Sequence, residues 1–270
     1  MAQPVFRFAP SPNGRLHLGH AYSALLNEKL AREQGGRLLL RIEDIDFTRC
    51  KPELTVVAMA DLDWLGIAFE KPVRIQGQHM ADYHAALLKL DTLGLLYPCT
   101  CTRAGKRSAS ALQIADPDGV PLYAQTCRQK TGMTPPFAMR LKMDEAVASL
   151  AEPLFKREDD GDWMVDPTEW GDAVLARKDI GTSYHVSVVV DDAIQGVTHI
   201  VRGKDMEAAT SIHRLLQELL GLPHPAYHHH DLVRHETGRK LAKSDGDKSL
   251  ADLRAEGKTA TDIRRLLGFN

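Results

Sequence analysis

The chain has 270 residues, enough for one large or two modest domains with a substantial core. Hydrophobic residues make up 43% and charged residues 26%, as in ordinary globular proteins, and no apolar run approaches the roughly 18 residues that span a bilayer. A net charge of −2 excludes a generally basic nucleic-acid binder, so any RNA contact would depend on local basic patches. Because the N-terminus has neither a basic leader nor an apolar segment, we expect a cytoplasmic protein.

The first distinctive segment covers residues 7–20 and reads Arg-Phe-Ala-Pro-Ser-Pro-Asn-Gly-Arg-Leu-His-Leu-Gly-His. A short strand is predicted at residues 5–9, and helical spacing of apolar residues begins near Leu18. A strand that leads through a glycine-containing turn into a helix N-terminus is typical of phosphate binding, because free backbone N–H groups and the helix dipole favour an anion there. The segment therefore predicts a phosphate site at the start of the first helix.

Two histidines, His17 and His20, flank Gly19 in this segment, where both imidazoles can reach a bound phosphate. These residues alone fit equally well with a helix-capping histidine beside a surface histidine. The whole segment is more specific: His-Leu-Gly-His resembles the His-Ile-Gly-His motif of class I aminoacyl-tRNA synthetases, and the residues before it resemble the glutamyl and glutaminyl branch. The resemblance implies that ATP, with Mg²⁺ on its phosphates, binds at Gly19 and at both histidines, which are catalytic. It also implies a glutamate site that includes Arg7, Ala9 and Ser11.

A second strand is predicted within residues 37–46, Arg-Leu-Leu-Leu-Arg-Ile-Glu-Asp-Ile-Asp, which end in a carboxylate cluster. Ligands of mononucleotide-binding folds bind at the carboxyl ends of the strands, where this cluster would lie. A solvated acidic loop is the alternative interpretation. The segment resembles Arg-Ile-Glu-Asp-Thr-Asp of glutamyl-type synthetases, which implies that Glu43 holds the α-ammonium group of glutamate.

Four cysteines in a chain expected in the cytoplasm favour metal ligands or core positions over disulfides, and the isolated Cys50 is interpreted as structural or incidental. The other three form a Cys-x-Cys pair and the end of a Tyr-x-x-x-Cys segment, at Cys99, Cys101 and Cys127. Three thiolates on two segments suit a tetrahedral zinc ion. The best candidate for the fourth ligand is Tyr123, and the alternatives are a water molecule, Asp116 or Asp118. The pattern resembles the zinc element of bacterial glutamyl-type synthetases, which implies one structural zinc ion.

An inserted β-rich module is predicted at residues 131–170, where the acidic run at residues 158–162 is interpreted as a solvated turn. The parallel β/α pattern resumes after it, with strands at residues 172–181, 184–192 and 196–205 and a helix at residues 206–220. The last two strands resemble the glutamate-pocket strands of the family, which implies that Tyr184 and Arg202 contact the amino acid. The run His228–His230 is interpreted as a strand at the rim of the site rather than a metal site, because consecutive side chains project in different directions.

The segment Gly238-Arg-Lys-Leu-Ala-Lys-Ser244 resembles the Lys-Met-Ser-Lys-Ser loop, the second signature of class I synthetases. Leu and Ala replace Met and Ser, but Lys240 and Lys243 remain, so the positive charge is retained. The resemblance implies that both lysines bind ATP and that Lys243 is catalytic. Cations placed beforehand stabilise the charge that develops on the phosphate oxygens in the transition state.

Together, the patterns predict an α/β protein with a Rossmann-type doubly wound parallel sheet, split by an inserted zinc-containing α+β module, and with a short helical C-terminal end. Amphipathic helices at residues 52–65 and 80–93 are assigned to the core. We expect the first half of the catalytic domain at residues 1–96, the inserted acceptor-binding-like module at 97–170, the second half at 171–230, and the Lys-Leu-Ala-Lys-Ser loop with a C-terminal helical segment at 231–270. With 26 residues after Ser244, no helical anticodon-binding domain is expected.

The resemblance implies an enzyme that joins L-glutamate to an acceptor through a glutamyl adenylate. Short members of the family without the anticodon-binding region activate glutamate in the absence of tRNA and attach it to the queuosine at the wobble position of tRNA(Asp). We expect the same here, in a monomer that receives the anticodon stem-loop of the tRNA and contacts no membrane. The alternatives are a truncated glutamyl-tRNA synthetase that charges a tRNA 3′ end, an adenylate-forming ligase on a non-tRNA acceptor, and a non-catalytic zinc and RNA-binding module. The enzymes would form an adenylate, and the binding module would not.

Overall fold

The structure is a computed structural model that describes residues 3–101, 115–158, 161–233 and 248–269. Within these ranges there are ten β-strands: β1 Val5–Phe8, β2 Arg37–Ile42, β3 Glu70–Ile75, β4 Leu96–Cys99, β5 Ala138–Leu141, β6 Phe155–Glu158, β7 Gly161–Met164, β8 Val174–Ala176, β9 His199–Gly203 and β10 Ala226–His230. The same ranges contain eight α-helices: α1 Leu18–Glu33, α2 Pro52–Trp64, α3 Met80–Thr92, α4 Met143–Ala148, α5 Tyr184–Ile194, α6 Ala209–Leu220, α7 Leu250–Ala255 and α8 Ala260–Leu266.

The chain forms two compact units, and the first contains residues Met1–Gln78, Gly196–Glu207 and Pro225–Asn270. Its five strands lie in the order β3-β2-β1-β9-β10, and all neighbouring pairs are parallel. The predicted α/β class with a mostly parallel central sheet is therefore confirmed. Strand β3 was not predicted, because its first residues, Glu-Lys-Pro, are exposed and lack strand patterning.

Local sequence explains why β1, α1 and β2 form. Every residue of β1 is buried, and β2 pairs with it in register from Val5–Arg37 to Phe8–Leu40. Small and aliphatic residues of α1 complete the core against these strands. The chain turns back at Gly36, where a Cβ would lie 2.8 Å from the carbonyl oxygen of Pro4. A side chain at Gly36 would therefore displace the start of β1.

The second unit contains residues His79–Gln195 and Ala208–His224. It has an antiparallel sheet in the order β4-β5-β8 and an antiparallel hairpin of β6 and β7. The strands expected at residues 131–170 are present as β5, β6 and β7, with the short helix α4 between β5 and β6. The domain boundaries drawn from the sequence remain predictions.

The strand predicted at residues 184–192 is wrong, because this segment is helix α5. Its Val-rich run is typical of a strand, but the helix is buried from Val186 to Asp192 and so lacks a polar face that would reveal its period. Tyr83 on α3 donates a hydrogen bond to the Asp191 carboxylate at 2.9 Å, which satisfies one buried polar group. Gly196, at a φ of +65°, ends the segment.

Other predicted elements are present with different bounds. The strand expected at residues 172–181 is reduced to β8, and the one at 196–205 to β9. The run His228–His230 does belong to a strand, β10. In the part of the chain that the structure describes, no helix has the length and hydrophobicity required to cross a membrane.

Candidate active site and metal site

The two histidines cap helix α1 reciprocally. His17 is the N-cap residue, and its Nδ1 accepts a hydrogen bond from the backbone N–H of Gly19 at 3.1 Å. His20 lies three residues later, and its Nδ1 accepts from the backbone N–H of His17 at 3.2 Å. Because each Nδ1 is an acceptor, each neutral imidazole has its proton on Nε2. The ring centres are 3.9 Å apart, so the two imidazoles lie next to each other at the N-terminus of α1, the positive end of the helix dipole.

This geometry corrects one detail of the sequence interpretation. The first-turn N–H groups were expected to be free for phosphate, but those of Gly19 and His20 donate to the side chain of His17. The histidines thus replace the backbone as the donors that can face a ligand. A Cβ on Gly19 would lie 3.0 Å from Cε1 of His17, so a side chain at this position would push the imidazole aside by a few tenths of an ångström.

A buried ion pair lies at the carboxyl end of β2. The Arg41 side chain is fully buried, and its Nη2 lies 3.0 Å from Oε1 of Glu43, whose side chain is 10% exposed. The backbone N–H of Glu43 donates to the carbonyl of Pro10 at 3.0 Å, so the carboxylate is held next to the segment that precedes α1. Sequence reasoning selected Glu43 but missed Arg41 as its partner, since spacing does not show which side chains meet.

Two further arginines lie buried on neighbouring strands of the same parallel sheet. Arg7 is on β1, and Arg202 is on β9 in register with His229 of β10. The Nε of Arg202 donates to Nε2 of His229 at 3.3 Å, and its guanidinium lies 5.4 Å from the centre of the Tyr227 ring. These contacts hold Arg202 against β10, the strand that contains the three consecutive histidines.

The segment after β1 brings Ser11 to Cys50. The Ser11 hydroxyl lies 3.5 Å from Sγ of Cys50, which is also 3.8 Å from the Glu43 carbonyl oxygen. Burial raises the pKa of the Cys50 thiol. Cys50 therefore packs beside two of the predicted glutamate-site residues, a placement that the sequence did not indicate.

The remaining predicted site residues are Tyr184 and the two lysines. Tyr184 begins α5 in the second unit, where its ring lies 5.5 Å from that of His213 and 5.7 Å from that of His185. Lys240 and Lys243 lie outside the described residues. The Asp44 carboxylate accepts from the backbone N–H of Gly77 at 2.6 Å, which connects the end of β2 to the residues after β3.

The second unit brings the three predicted cysteines together. The sulfurs of Cys99, Cys101 and Cys127 lie within 4.8 Å of one another, and none is in a disulfide. Sulfurs bound to one tetrahedral zinc ion are separated by about 3.8 Å, so these distances fit such an ion. Burial opposes ionisation of the Cys127 thiol, but hydrogen bonds from Tyr123 and Cys101 outweigh it and lower the pKa to about 6.

Tyr123 is the oxygen donor beside these sulfurs. Its hydroxyl lies 3.6 Å from Sγ of Cys101 and accepts from the backbone N–H of Cys127 at 2.9 Å. By contrast, the carboxylate of Asp116 accepts from the backbone of Asp118 and Val120 within its own turn. The set of three sulfurs and a phenol oxygen has the number and chemistry of donors that zinc requires.

A buried polar network supports the cysteine cluster, and sequence reasoning missed it. Its centre is Asp172, which accepts from the Tyr97 hydroxyl at 2.6 Å and from the backbone N–H of Met143 at 3.1 Å. Arg128, next to Cys127, lies 3.4 Å from Asp172 and pairs with Asp144, whose pKa this contact holds at about 2. The network thus joins the residues next to the cysteines to β4, α4 and the start of β8.

The chain matches the family model described as the catalytic domain of class I tRNA synthetases for E and Q over residues 5–268. It belongs to this family. The glutamyl-Q tRNA(Asp) synthetase of Rhodobacter capsulatus is 47% identical over 98% of this chain and 100% of that protein. The one of Symbiobacterium thermophilum is 40% identical over 95% of this chain and 83% of the relative. A glutamate–tRNA ligase of Prochlorococcus marinus is 37% identical over 98% of this chain, but only 58% of the ligase is covered.

Solved structures agree with the family. The crystal structure of a glutamate tRNA ligase from Elizabethkingia meningosepticum, in complex with its amino acid, superposes with a TM-score of 0.72 at 25% identity. The match covers 91% of this chain and 53% of the ligase, so the chain spans about half of that protein. A methionyl-tRNA synthetase of Mycobacterium tuberculosis shares the fold, with a TM-score of 0.61 at 16% identity. The protein is therefore a ligase of the class I aminoacyl-tRNA synthetase type, and synthetases of this class use ATP with Mg²⁺.

Proposed function

We propose that this enzyme activates L-glutamate with ATP, without tRNA, and transfers the glutamyl group to queuosine at the wobble position of tRNA(Asp). The observation that supports activation best is the reciprocal histidine cap of α1, beside a parallel sheet whose strand ends carry the Arg41–Glu43 pair. The histidine cap provides donors for phosphate oxygens, and the Arg41–Glu43 pair provides charged groups for an amino acid. The names of the relatives support the acceptor.

In the ATP site, His17 and His20 donate from Nε2 to the phosphates, and Gly19 lets the chain approach them closely. A glutamate carboxylate oxygen attacks the α-phosphorus, pyrophosphate leaves, and glutamyl adenylate forms. Negative charge grows on the phosphate oxygens in this step, so donors already fixed by the helix cap lower the barrier. Mg²⁺ bound to ATP supplies further charge neutralisation. Lys240 and Lys243 are proposed to act on the same phosphates.

In the glutamate site, the Glu43 carboxylate binds the α-ammonium group, and Arg41 holds that carboxylate in place. Arg7 or Arg202 binds the side-chain carboxylate of the substrate, since an arginine fork rejects the neutral amide of glutamine. Ala9 and Ser11 line the site between these groups. Tyr184 is proposed to contact the ammonium group as well.

The Cys99, Cys101, Tyr123 and Cys127 set is proposed to hold one structural zinc ion. With all four ligands supplied by the chain, the ion would have no open position for substrate. Its contribution is to fix the segment around residues 115–130 onto β4. Tyr123 is preferred to Asp116 as the fourth ligand, because the carboxylate of Asp116 is engaged in its own turn.

The acceptor step transfers the glutamyl group from the adenylate to a hydroxyl of queuosine, and AMP leaves. Because the acceptor lies in the anticodon loop, the stem-loop itself would enter the site. A truncated glutamyl-tRNA synthetase that charges a tRNA 3′ end is the second candidate, and it is favoured by the likeness to glutamate–tRNA ligases.

The deciding experiment maps labelled glutamate on RNA. The enzyme is incubated with labelled glutamate, ATP and tRNA(Asp) that contains or lacks queuosine, and glutamate-dependent pyrophosphate exchange is measured without tRNA. We expect exchange without tRNA, and label in the anticodon loop of the queuosine-containing tRNA alone. Label on the 3′-terminal adenosine, or equal labelling of both tRNAs, would refute the proposed acceptor. A lack of exchange without tRNA would refute tRNA-independent activation.

A further inference from the structure

We propose that Asp61 and Arg254 position His17 for its action on ATP by fixing helix α7 against the segment that leads into α1. The inference rests on the ATP site proposed above. All of the residues concerned belong to the first unit.

The backbone around His17 is held by the residues that begin α7. The backbone N–H of Leu250 donates to the carbonyl of Leu16 at 2.8 Å, and His17 forms an antiparallel bridge with Ser249. Arg15, two residues before His17, lies 3.8 Å from the carboxylate of Asp252. The placement of α7 therefore sets the position from which His17 caps α1.

Helix α7 depends on its surroundings for that placement, since its six residues make fewer than two turns. Ser249 and Asp252 close its first turn by reciprocal hydrogen bonds, and Leu250 is fully buried in the core of the unit. Near the other end, a guanidinium nitrogen of Arg254 lies 3.3 Å from Oδ1 of Asp61. The same guanidinium lies 5.6 Å from the centre of the Trp64 ring. Arg254 thus fastens the last turn of α7 to α2.

The surroundings of Asp61 disfavour a carboxylate. Its side chain is fully buried on α2, and apart from the ion pair with Arg254 neither carboxylate oxygen has a hydrogen-bond partner among the described residues. Burial raises the pKa of Asp61, while Arg254 and Arg15 oppose this effect and Asp252 adds to it. A buried carboxylate with so few partners costs stability that an apolar residue would not. Its presence is explained if its charge is needed to hold Arg254.

The test compares Arg254→Ala, Arg254→Lys and Asp61→Asn with the wild type in glutamate-dependent pyrophosphate exchange. A displacement of His17 by a fraction of an ångström is expected to raise the KM for ATP roughly 10-fold in Arg254→Ala and Asp61→Asn. The KM for glutamate should stay unchanged, because the Arg41–Glu43 pair is untouched. Arg254→Lys keeps the charge and should recover part of the loss. An unchanged KM for ATP in Arg254→Ala would overturn the inference.

A matched control is Arg264→Ala, which removes another arginine that anchors the C-terminal helices. Arg264 donates to the carbonyl of Leu65 at 3.0 Å and to Glu28 at 2.9 Å. This variant should lower the melting temperature but leave the KM for ATP unchanged. If it raises the KM for ATP as much as Arg254→Ala does, the effect is one of general stability and the inference fails.

A spectroscopic readout separates this inference from the proposed function. Nitrogen NMR of labelled histidine reports whether Nδ1 of His17 accepts a hydrogen bond. That signal should shift in Arg254→Ala and stay unchanged in Arg264→Ala. An unshifted signal in Arg254→Ala would overturn the inference even if the wild type activates glutamate. A wild type without exchange activity would instead refute the proposed function alone.

Discussion

At the scale of single residues, the main feature is that His17 caps α1 and, in the proposed function, also donates to the phosphates of ATP. The capping interpretation and the phosphate interpretation looked like alternatives, but the structure makes the cap the means by which Nε2 is oriented. The tautomer follows from the cap, and the direction of the Nε2–H bond follows from the tautomer. In the proposed function, helix stability and phosphate binding therefore depend on one imidazole.

The substitution His17→Asn separates these roles. Asparagine is among the best N-cap residues, so α1 should keep most of its stability, but the amide cannot place a donor where Nε2 lies. We expect a melting temperature within a few degrees of the wild type and a loss of adenylate formation of roughly 100-fold or more. His17→Ala should lose both properties. Pyrophosphate exchange and thermal unfolding measure the two, and an active His17→Asn variant would contradict the assignment.

Arg41 offers a second prediction at this scale. Arg41→Met removes the cation that lies 3.0 Å from the buried Glu43 carboxylate, which is expected to cost about 3 kcal/mol in the free energy of unfolding. Urea denaturation measures this loss. The double variant Arg41→Met/Glu43→Gln removes the charge as well and should regain part of the stability while remaining unable to bind glutamate. Equal stability of Arg41→Met and the wild type would contradict the role given to the pair.

His230 gives a pH dependence whose sign can be stated. Burial lowers its pKa below the ordinary value of about 6.5, so between the two pKa values the unfolded chain holds a proton that the folded chain does not. The contribution of His230 to the free energy of unfolding is therefore at its maximum above about pH 6.5 and decreases as the pH falls below this value. In His230→Leu, the loss of stability from about pH 7.5 to about pH 5.5 should be smaller than in the wild type. Denaturation at both pH values measures the difference, and parallel losses would show that His230 does not contribute.

At the scale of elements, the cysteine cluster shows what a motif can predict. The spacing identified Cys99, Cys101 and Cys127, and the structure brings these sulfurs together. The spacing could not identify Asp172, because that residue lies 45 positions after Cys127 and belongs to no motif. Helix α5 was predicted wrongly for a related reason: it is buried from Val186 to Asp192, so this segment has no polar face that would show the helical period in the sequence.

The zinc proposal makes an element-scale prediction. Cys127→Ser should lose zinc, as measured by elemental analysis, and should lower the melting temperature. Cys50→Ser is the matched control, because Cys50 lies in the other unit and should leave the zinc content unchanged. Tyr123→Phe should reduce zinc affinity by roughly 10-fold if the phenol is the fourth ligand. Stoichiometric zinc in Cys127→Ser would rule out the ligand set.

At the scale of the whole molecule, the strongly periodic segments were predictable and the connections were not. The residues of β1, α1 and β2 have clear burial patterns and a glycine where the chain must pass close to itself. The Arg254–Asp61 contact joins helices almost two hundred positions apart and leaves no local trace. Such long-range pairs depend on how whole elements pack together, and this packing cannot be predicted from local patterns in one sequence.

The interleaving of the two units limits how the chain can be divided. The central strand β1 pairs with β9, and the backbone of Val5 bonds to Thr198, 193 positions later. Helix α6 belongs to the second unit, yet in the sequence it comes between β9 and β10 of the first. No single cut of the chain therefore releases a complete unit. During synthesis on the ribosome, β1 can pair with β9 only after about two hundred residues have been made. We expect truncations after residue 195 to leave an open sheet edge prone to aggregation.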